Sequence, residues 1–432
     1  MGISNAMQTG VSGLYANSLA IEQVSSNIAN SATTGYKRSF AQMVTTTAGT
    51  AVSSRGVSAV TTATVSQAGA ITSTSSVTDL AISGNGFFVV SRNPNETVLS
   101  NYMLTRAGSF SVDDEGYLVN AGGYYLSGYA YNDDGTLPAF DANGFGSMET
   151  INLTNSTLDA KATTAISIAG NLPSQETGAT STGTSFISST NFYTELGATD
   201  GLSLEWTPST TANTWDIVFS LADGTQMGSV TVTFADSGTT AGTPLSYSNV
   251  TNLATAPASF GFDTATGTAT LTIDNGTTPQ VVDFTLGAPG STTGVTQFAG
   301  DFAAQDFDVD GWPVSQLSRT EITEDGTVWG VYESGVRKAL FMIPVATVTN
   351  PDALVEVSAN AYRLSRDAGT LTIQQAGTAG AGTITSGALE SSNVEIAQEL
   401  TDLIRIQRAY SSNAKVITTA DDMLAETTQI KR

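Results

Sequence analysis

The chain contains no cysteine and no histidine. The first absence removes disulfides, thiol nucleophiles and thiolate metal sites. Together the two remove the common zinc ligand sets and every Ser-His or Cys-His nucleophile system. Basic residues are scarce as well: 16 Lys and Arg stand against 39 Asp and Glu, a formal charge of −23. Nucleic acid and anionic membrane surfaces both need clustered positive charge, so neither is an expected partner. The longest apolar run, Leu340 to Val345, is far too short to span a bilayer and contains Pro344. A secretory signal needs an early basic residue ahead of an unbroken apolar core. Here the first basic residue is Lys37, and Gly10, Ser12, Gly13, Asn17 and Ser18 interrupt the apolar positions before it. The expectation is export by a route that reads no cleaved signal.

At 432 residues the chain exceeds what one hydrophobic core usually organises, so several domains are expected. Its two ends differ from the middle. Met7, Val11, Leu14, Ile21 and Ile28 follow alternating four- and three-residue steps, with Ser18 and Ser25 in the missing places. Ile396, Leu400, Leu403, Tyr410, Ile417 and Leu424 keep the same rhythm, with Gln407, Ala414 and Asp421 between. This is the period of a coiled-coil seam. The C-terminal arm is the better helix former, rich in Glu, Leu, Ala, Gln and Arg and free of Gly and Pro after Gly387. The N-terminal arm, broken by Gly and Ser, needs partners on several sides to stay helical.

Between the arms the pattern is β. Leu202, Leu204 and Trp206 alternate with polar residues, as do Ile217, Phe219 and Leu221. Met227, Val230, Val232 and Phe234 follow the turn pair Asp223-Gly224. Leu271 and Ile273, then Val282, Phe284 and Leu286, flank Asn275-Gly276, a strong hairpin signal. No Lys or Arg occurs between Lys161 and Arg319, while acidic residues continue throughout. Such a shift marks an inserted, solvent-facing domain. The expected fold class is therefore multidomain and mainly β, with α-helical coiled-coil terminal arms and the β domains inserted between them. The expected division is 1–32 with 392–432 as paired helices and 33–70 with 376–391 as an extended connector. Residues 71–150 with 301–375 form a first β domain, and 151–300 an inserted acidic outer domain.

Four separated runs carry a resemblance. The first reads Asn27-Ile28-Ala29-Asn30-Ser31-Ala32-Thr33-Thr34-Gly35-Tyr36-Lys37-Arg38. The second, Asp79 to Val90, holds Gly84, Gly86, Phe87 and Phe88, and Thr105 to Phe110 continues it through Gly108. The third runs from Ser386 to Val394 and includes Leu389 and Asn393; the fourth is Gln407-Arg408-Ala409-Tyr410 with Asn413-Ala414-Lys415. In this order they resemble the rod and hook proteins of the bacterial flagellum, an axial family. The resemblance covers about residues 1–145 and 305–432 and leaves the middle unmatched. Rod members are much shorter, so length favours the hook branch over the distal rod.

The resemblance implies a secreted structural subunit, with no catalytic residue and no cofactor or metal. It implies self-assembly into a hollow, flexible tube that joins motor to filament as a universal joint. The arms would line the channel, and the acidic insertion would lie outermost. Implied partners are the distal rod protein, the hook cap, the hook–filament junction protein and the flagellar type III export apparatus. The implied place is the extracellular hook.

Other readings are weaker. Gly84-Asn85-Gly86 has the outline of a dinucleotide loop but lacks the third glycine. Asp306, Asp308, Asp310 and Gly311 open like an EF-hand loop, yet Leu317 stands where the closing Glu is required. Asp113-Asp114-Glu115-Gly116 reads as a hairpin tip before an acid pair. A β-rich adhesin or carbohydrate-binding module would use Tyr193, Trp206 and Trp215 for stacking.

Overall fold

The computed structural model describes residues 2–47, 55–132, 135–153, 157–276, 278–302 and 305–430. They form two compact units. One comprises Met1–Ser156, Arg319–Val331 and Arg337–Arg432, the other Thr157–Ser318 with Tyr332–Val336.

The first unit begins with helix α1 (Gly2–Ala29) and ends with helix α2 (Ile396–Ile430). No helix among the described residues is long and apolar enough to cross a membrane. Strands β1 (Ser39–Thr47) and β2 (Arg55–Ala63) form an antiparallel hairpin beside α1, with Ser39 opposite Ala63. Strand β3 (Ile71–Ser73) pairs with Ala388–Glu390, and β4 (Leu80–Ser83) with Thr383–Ser386. Strands β3 and β4 are thus tied to the segments that return toward α2. Strands β5 (Phe88–Ser91) and β6 (Tyr102–Thr105) form a hairpin within a larger sheet, β5 beside Tyr125–Ala130 and β6 beside Ala361–Arg363. Its two faces feed two cores, one around Leu80, Phe88, Val90 and Leu126, the other around Phe87, Val89, Leu104 and Tyr362. The alternation of β5 places Phe88 and Val90 on one face and Phe87 and Val89 on the other.

The second unit is a two-sheet β structure around one core. Five antiparallel strands follow in chain order: Phe186–Tyr193, Thr199–Pro208, Thr214–Leu221, Gln226–Phe234 and Pro244–Asn252. The second sheet is centred on Ala165–Pro173, which runs parallel to Gln280–Thr285 and Val295–Phe298. Leu202, Leu204, Trp206, Ile217, Phe219, Val232, Leu271 and Phe284 all point into the shared core, as their period-2 spacing requires. Trp206 and Trp215 are fully buried, so they offer no stacking face to a sugar. Asp306–Val309 is a strand rather than a cation loop. The Asp310 carboxylate accepts the amides of Thr164 and Ala165 and the Thr164 hydroxyl, as a turn anchor does. No metal-binding cluster occurs among the described residues. The Asp113 carboxylate likewise accepts the Tyr117 amide across the tip between Phe110–Val112 and Leu118–Asn120.

Candidate functional site: the helix pair and its junction with the β domain

The two helices run antiparallel: Gly10 faces Ile417, Gly13 faces Asn413, and Asn27 reaches Glu399. The residues of α1 turned toward α2 are Gly10, Gly13, Asn17, Ala20, Val24 and Asn27, all buried. They are spaced by alternating threes and fours, but they are small or polar. A Cβ on Gly10 would lie 2.9 Å from Ile417 Cγ1, and one on Gly13 2.8 Å from Asn413 Nδ2. Gly10, Gly13 and Asn17, which interrupt the apolar pattern, therefore lie in the contact, and the glycines let the two backbones come this close.

On α1 the large residues of the expected seam sit one position further on, whereas Ile417 of α2 lies in the contact opposite Gly10. On α1, Val11 is exposed and Met7, Leu14, Ile21 and Ile28 are half-buried at the edge of the contact. On α2, Leu403 and Ile417 are half-buried, whereas Ile396, Leu400, Tyr410 and Leu424 are exposed. One residue of advance turns an α-helix by ~100°. In an antiparallel pair such a turn carries both helices' side chains to the same side. Val11, Leu14, Ile21 and Ile28 and their α2 counterparts thus border one half-covered apolar face. On the other flank Ser12 Oγ accepts the Val57 amide of β2 at 3.2 Å, while Val416 and Met423 of α2 are exposed. The interior of the pair is small: Ala20, Val24 and Ile406 are buried, with Ile21, Ile28, Ala41 and Leu403 partly covering them.

Where the helices meet the β domain, charged and polar side chains are buried together. Asn27 uses its full hydrogen-bonding capacity. Its Nδ2 donates to Ser39 O at 2.7 Å and to Glu399 Oε2 at 3.0 Å, and its Oδ1 accepts the Ser39 amide and the Tyr36 hydroxyl. Asn30 closes the end of α1 through Ser26 O, and the Thr33 hydroxyl donates to its Oδ1. Asn393 plays the matching part ahead of α2, accepting the Arg38 amide at 2.7 Å and donating to Thr64 O and Gln67 O. The Arg38 side chain binds Glu399 and reaches Asp402.

Deeper still, Glu390 sits between two cations. Its Oε1 takes Lys37 Nζ at 2.6 Å and its Oε2 takes Arg106 Nη1 at 3.0 Å, with all three residues no more than 4% exposed. Lys37 also donates to Gln67 O, and Glu390 Oε1 accepts the Gly69 amide. Arg106 lies 5.3 Å from the Phe87 ring centroid and donates to Gly84 O. Burial pulls the Lys37 pKa below its ordinary value, an effect that Glu390 only partly offsets. Burial pushes the Glu390 carboxyl up, but Arg106 and Lys37 outweigh it and hold the group below the usual range.

The motif glycines serve close approach. Gly35 (φ +68°) donates its amide to Glu390 O, and a Cβ there would lie 2.6 Å from the Ala107 amide nitrogen. Gly84 and Gly86 adopt φ of +109° and +126°, where side chains are strained. Phe88 meets Phe110 edge-on at 5.9 Å. Leu389 is half-buried in its strand, and Gln407 and Arg408 are exposed on α2. Glu390 and Arg106 lie within the motif runs Ser386–Val394 and Thr105–Phe110, and their joint burial is not legible from either run alone. The available signal was charge inside otherwise Gly-rich and apolar runs, in a chain only 13% charged.

Replacing Asn27 by Ala would leave both Ser39 backbone groups without Asn27 and take one partner each from Glu399 and Tyr36. The expected cost is about 2–4 kcal/mol, seen as a lowered thermal midpoint and lost amide protection around residues 20–40. An unchanged midpoint would show that the hub has no energetic weight.

Three family models match in chain order. Residues 7–37 fit a flagella basal body rod protein model, 81–171 the D1 domain of flagellar hook protein FlgE/F/G, and 385–430 the C-terminal region of flagellar basal body rod FlgEFG proteins. The arms and the β domain they enclose are thus those of a flagellar axial protein. The chain is 36% identical over 440 residues to the flagellar hook protein FlgE of Rhizobium meliloti strain 1021, covering all of both chains. It is 34% identical to that of Brucella abortus strain 9-941, again over the full length of both. The chain belongs to the flagellar hook protein family. A crystal structure of Helicobacter pylori flagellar hook protein FlgE2 shares the fold, with a TM-score of 0.50 at 14% identity, covering 74% of this chain and all of the other.

Proposed function

We propose that the chain is the structural subunit of a bacterial flagellar hook, joining copies of itself through its terminal helices into a hollow, flexible tube. The observation that carries this is the half-covered apolar face of the helix pair. Leu400 is 47% and Ile404 53% exposed toward one end of the pair, and Val11, Ile396, Tyr410 and Leu424 are exposed elsewhere along it. Exposed apolar side chains in this number favour association, and the pair's own buried interior is too small to hold two long helices by itself. Copies packed face to face would bury Met7, Leu14, Ile21, Ile28, Leu403 and Ile417 as well. The acidic, Cys-free insertion suits an extracellular surface that meets its neighbours through small polar contacts. Such contacts slide without withdrawing a large apolar anchor, and sliding is what a torque-transmitting joint needs. The same reading makes the rod, cap, junction and type III export components the partners, and it assigns no catalytic step.

Electron microscopy of the concentrated protein tests this. The unmodified chain is expected to form hollow tubes, and the double variant Leu400→Asp with Ile404→Asp to stay monomeric with its β domains intact. Tubes formed equally well by the variant would remove the helix face from assembly.

A further inference from the structure

The helix pair turns two solvent-facing stripes in opposite directions. On α1, Val11, Tyr15, Ser18, Glu22, Ser25 and Ala29 advance by alternating fours and threes, and all are exposed. On α2, Thr401, Ile404, Arg408, Ser411, Lys415 and Thr418 keep the same alternation and are exposed as well. Such spacing is that of a helix seam. Each stripe lies on the side of its helix turned away from the other helix. The mutual contact runs instead through Gly10, Gly13 and Ala20 on α1 and through Ile406, Asn413 and Ile417 on α2.

The charges on these stripes are few and unmatched within one copy. Glu22 is the sole charged side chain of α1. Arg408 and Lys415 have no acidic residue within four positions on either side. Among the described residues, none of the three makes an ion pair or a side-chain hydrogen bond. The other guanidiniums beside the pair are engaged elsewhere, Arg38 with Glu399 and Asp402, and Arg405 with Asp402.

Gly10 opposite Ile417 and Asn27 opposite Glu399 set the levels along the pair. On that scale Ser18 is level with Arg408, Tyr15 with Ser411 and Glu22 with Ile404. Arg408 therefore stands between Tyr15 and Glu22, one helical turn from each. If the α1 stripe of one copy lies on the α2 stripe of another at the same level, the small Ser18 leaves room for the Arg408 side chain. The Glu22 carboxylate then answers its charge on one side. On the other side the Tyr15 ring, 76% exposed, offers a face to the cation.

We propose that the Val11–Ala29 stripe of one copy packs on the Thr401–Thr418 stripe of the next, with Glu22 of the first paired to Arg408 of the second. This rests on the self-assembly proposed above and gives it a direction. Because the stripes point away from each other, no copy can bring its own Glu22 to its own Arg408. The contact is heterologous and repeats from copy to copy instead of closing on a dimer. The charge pair sets the register more than it adds affinity.

The critical concentration for tubes, measured by sedimentation, tests this with variants of the full chain. Glu22→Arg and Arg408→Glu are each expected to raise it about tenfold, since either one places like charges together at every contact. An equimolar mixture of the two variants is expected to assemble within about threefold of the unmodified chain, because alternating copies restore opposite charges throughout. Lys415→Glu makes the same change in net charge but lies level with Val11, and a shift below about threefold is expected. All of these residues are exposed, so each variant should keep the thermal midpoint of the unmodified chain. Single variants that assemble like the unmodified chain overturn the pairing and leave the helix-face reading standing. A mixture no better than its components overturns it too, as does a Lys415→Glu effect equal to that of Arg408→Glu. Failure of the unmodified chain to form tubes removes the self-assembly reading, and this contact with it.

Discussion

Glu390→Gln is expected to destabilise the first unit by about 3–5 kcal/mol, the range for leaving buried charge without its partner. The substitution keeps the shape of the side chain and removes only its charge. Lys37 and Arg106 then face each other at the base of the junction with no anion between them. The loss should be read on this unit alone, because a chain with two compact units does not unfold as one. Amide exchange across residues 80–105 under increasing denaturant isolates it. A loss below about 1 kcal/mol would mean that solvent reaches the cluster and that its burial is of no consequence.

The same carboxylate gives a pH dependence whose sign is fixed. The Glu390 carboxyl is held below its ordinary value of 4.5 in the folded chain. The unfolded chain therefore binds this proton more readily, and stability rises with pH across that interval. The contribution is complete above the unfolded value and disappears as pH falls through the folded one. Other carboxylates add to the acid limb, so the informative quantity is the difference between the wild type and Glu390→Gln. That difference should shrink as the pH drops below about 4.5, and a gap that widened in acid would refute the assignment.

Gly108→Ala is expected to be at least as severe, with a loss above about 4 kcal/mol from a single methyl group. The added Cβ would stand 1.8 Å from the carbonyl oxygen of Leu80 and 2.8 Å from its carbon. Both atoms are backbone, and no rotamer change can move them. Nor can β4 draw away cheaply, since the Leu80 amide donates to Gly108 O at 2.9 Å and Leu80 itself is fully buried. Against a total stability of roughly 5–15 kcal/mol, such a loss leaves little folded protein. Gly261→Ala is the control: its Cβ meets nothing within 4 Å and its φ lies outside the left-handed region, so a change under about 1 kcal/mol is expected. A Gly108→Ala protein that melts near the wild-type temperature would show that the two strands are not held at this distance.

The helix pair shows where pattern reading stops. Counting large apolar residues finds the helices, because periodicity is a local property that survives without the partner. It selects Val11, Leu14, Ile21 and Ile28, and the chain places these beside the contact rather than in it. The contact belongs to Gly10, Gly13, Asn17 and Ala20, whose contribution is the distance they allow rather than the area they bury. No hydrophobicity scale registers that quantity. The glycines also carry little helix propensity, so on composition alone they read as breaks.

The buried ions are a second case. Lys37, Arg106 and Glu390 lie in three separate runs of the chain, and each looks like an ordinary surface charge in its own run. What the amino-acid order determined by itself was the kind of element at each stretch: helical arms, period-2 strands, Asp-Gly and Asn-Gly turns, and an insertion without basic residues. These depend on neighbours within a few positions, where backbone sterics and side-chain period act. Only the tertiary structure decided which stripe of each helix touches and which charges share a burial site. Those are distances between residues remote in sequence, set by how the backbones pack, and no local pattern encodes them.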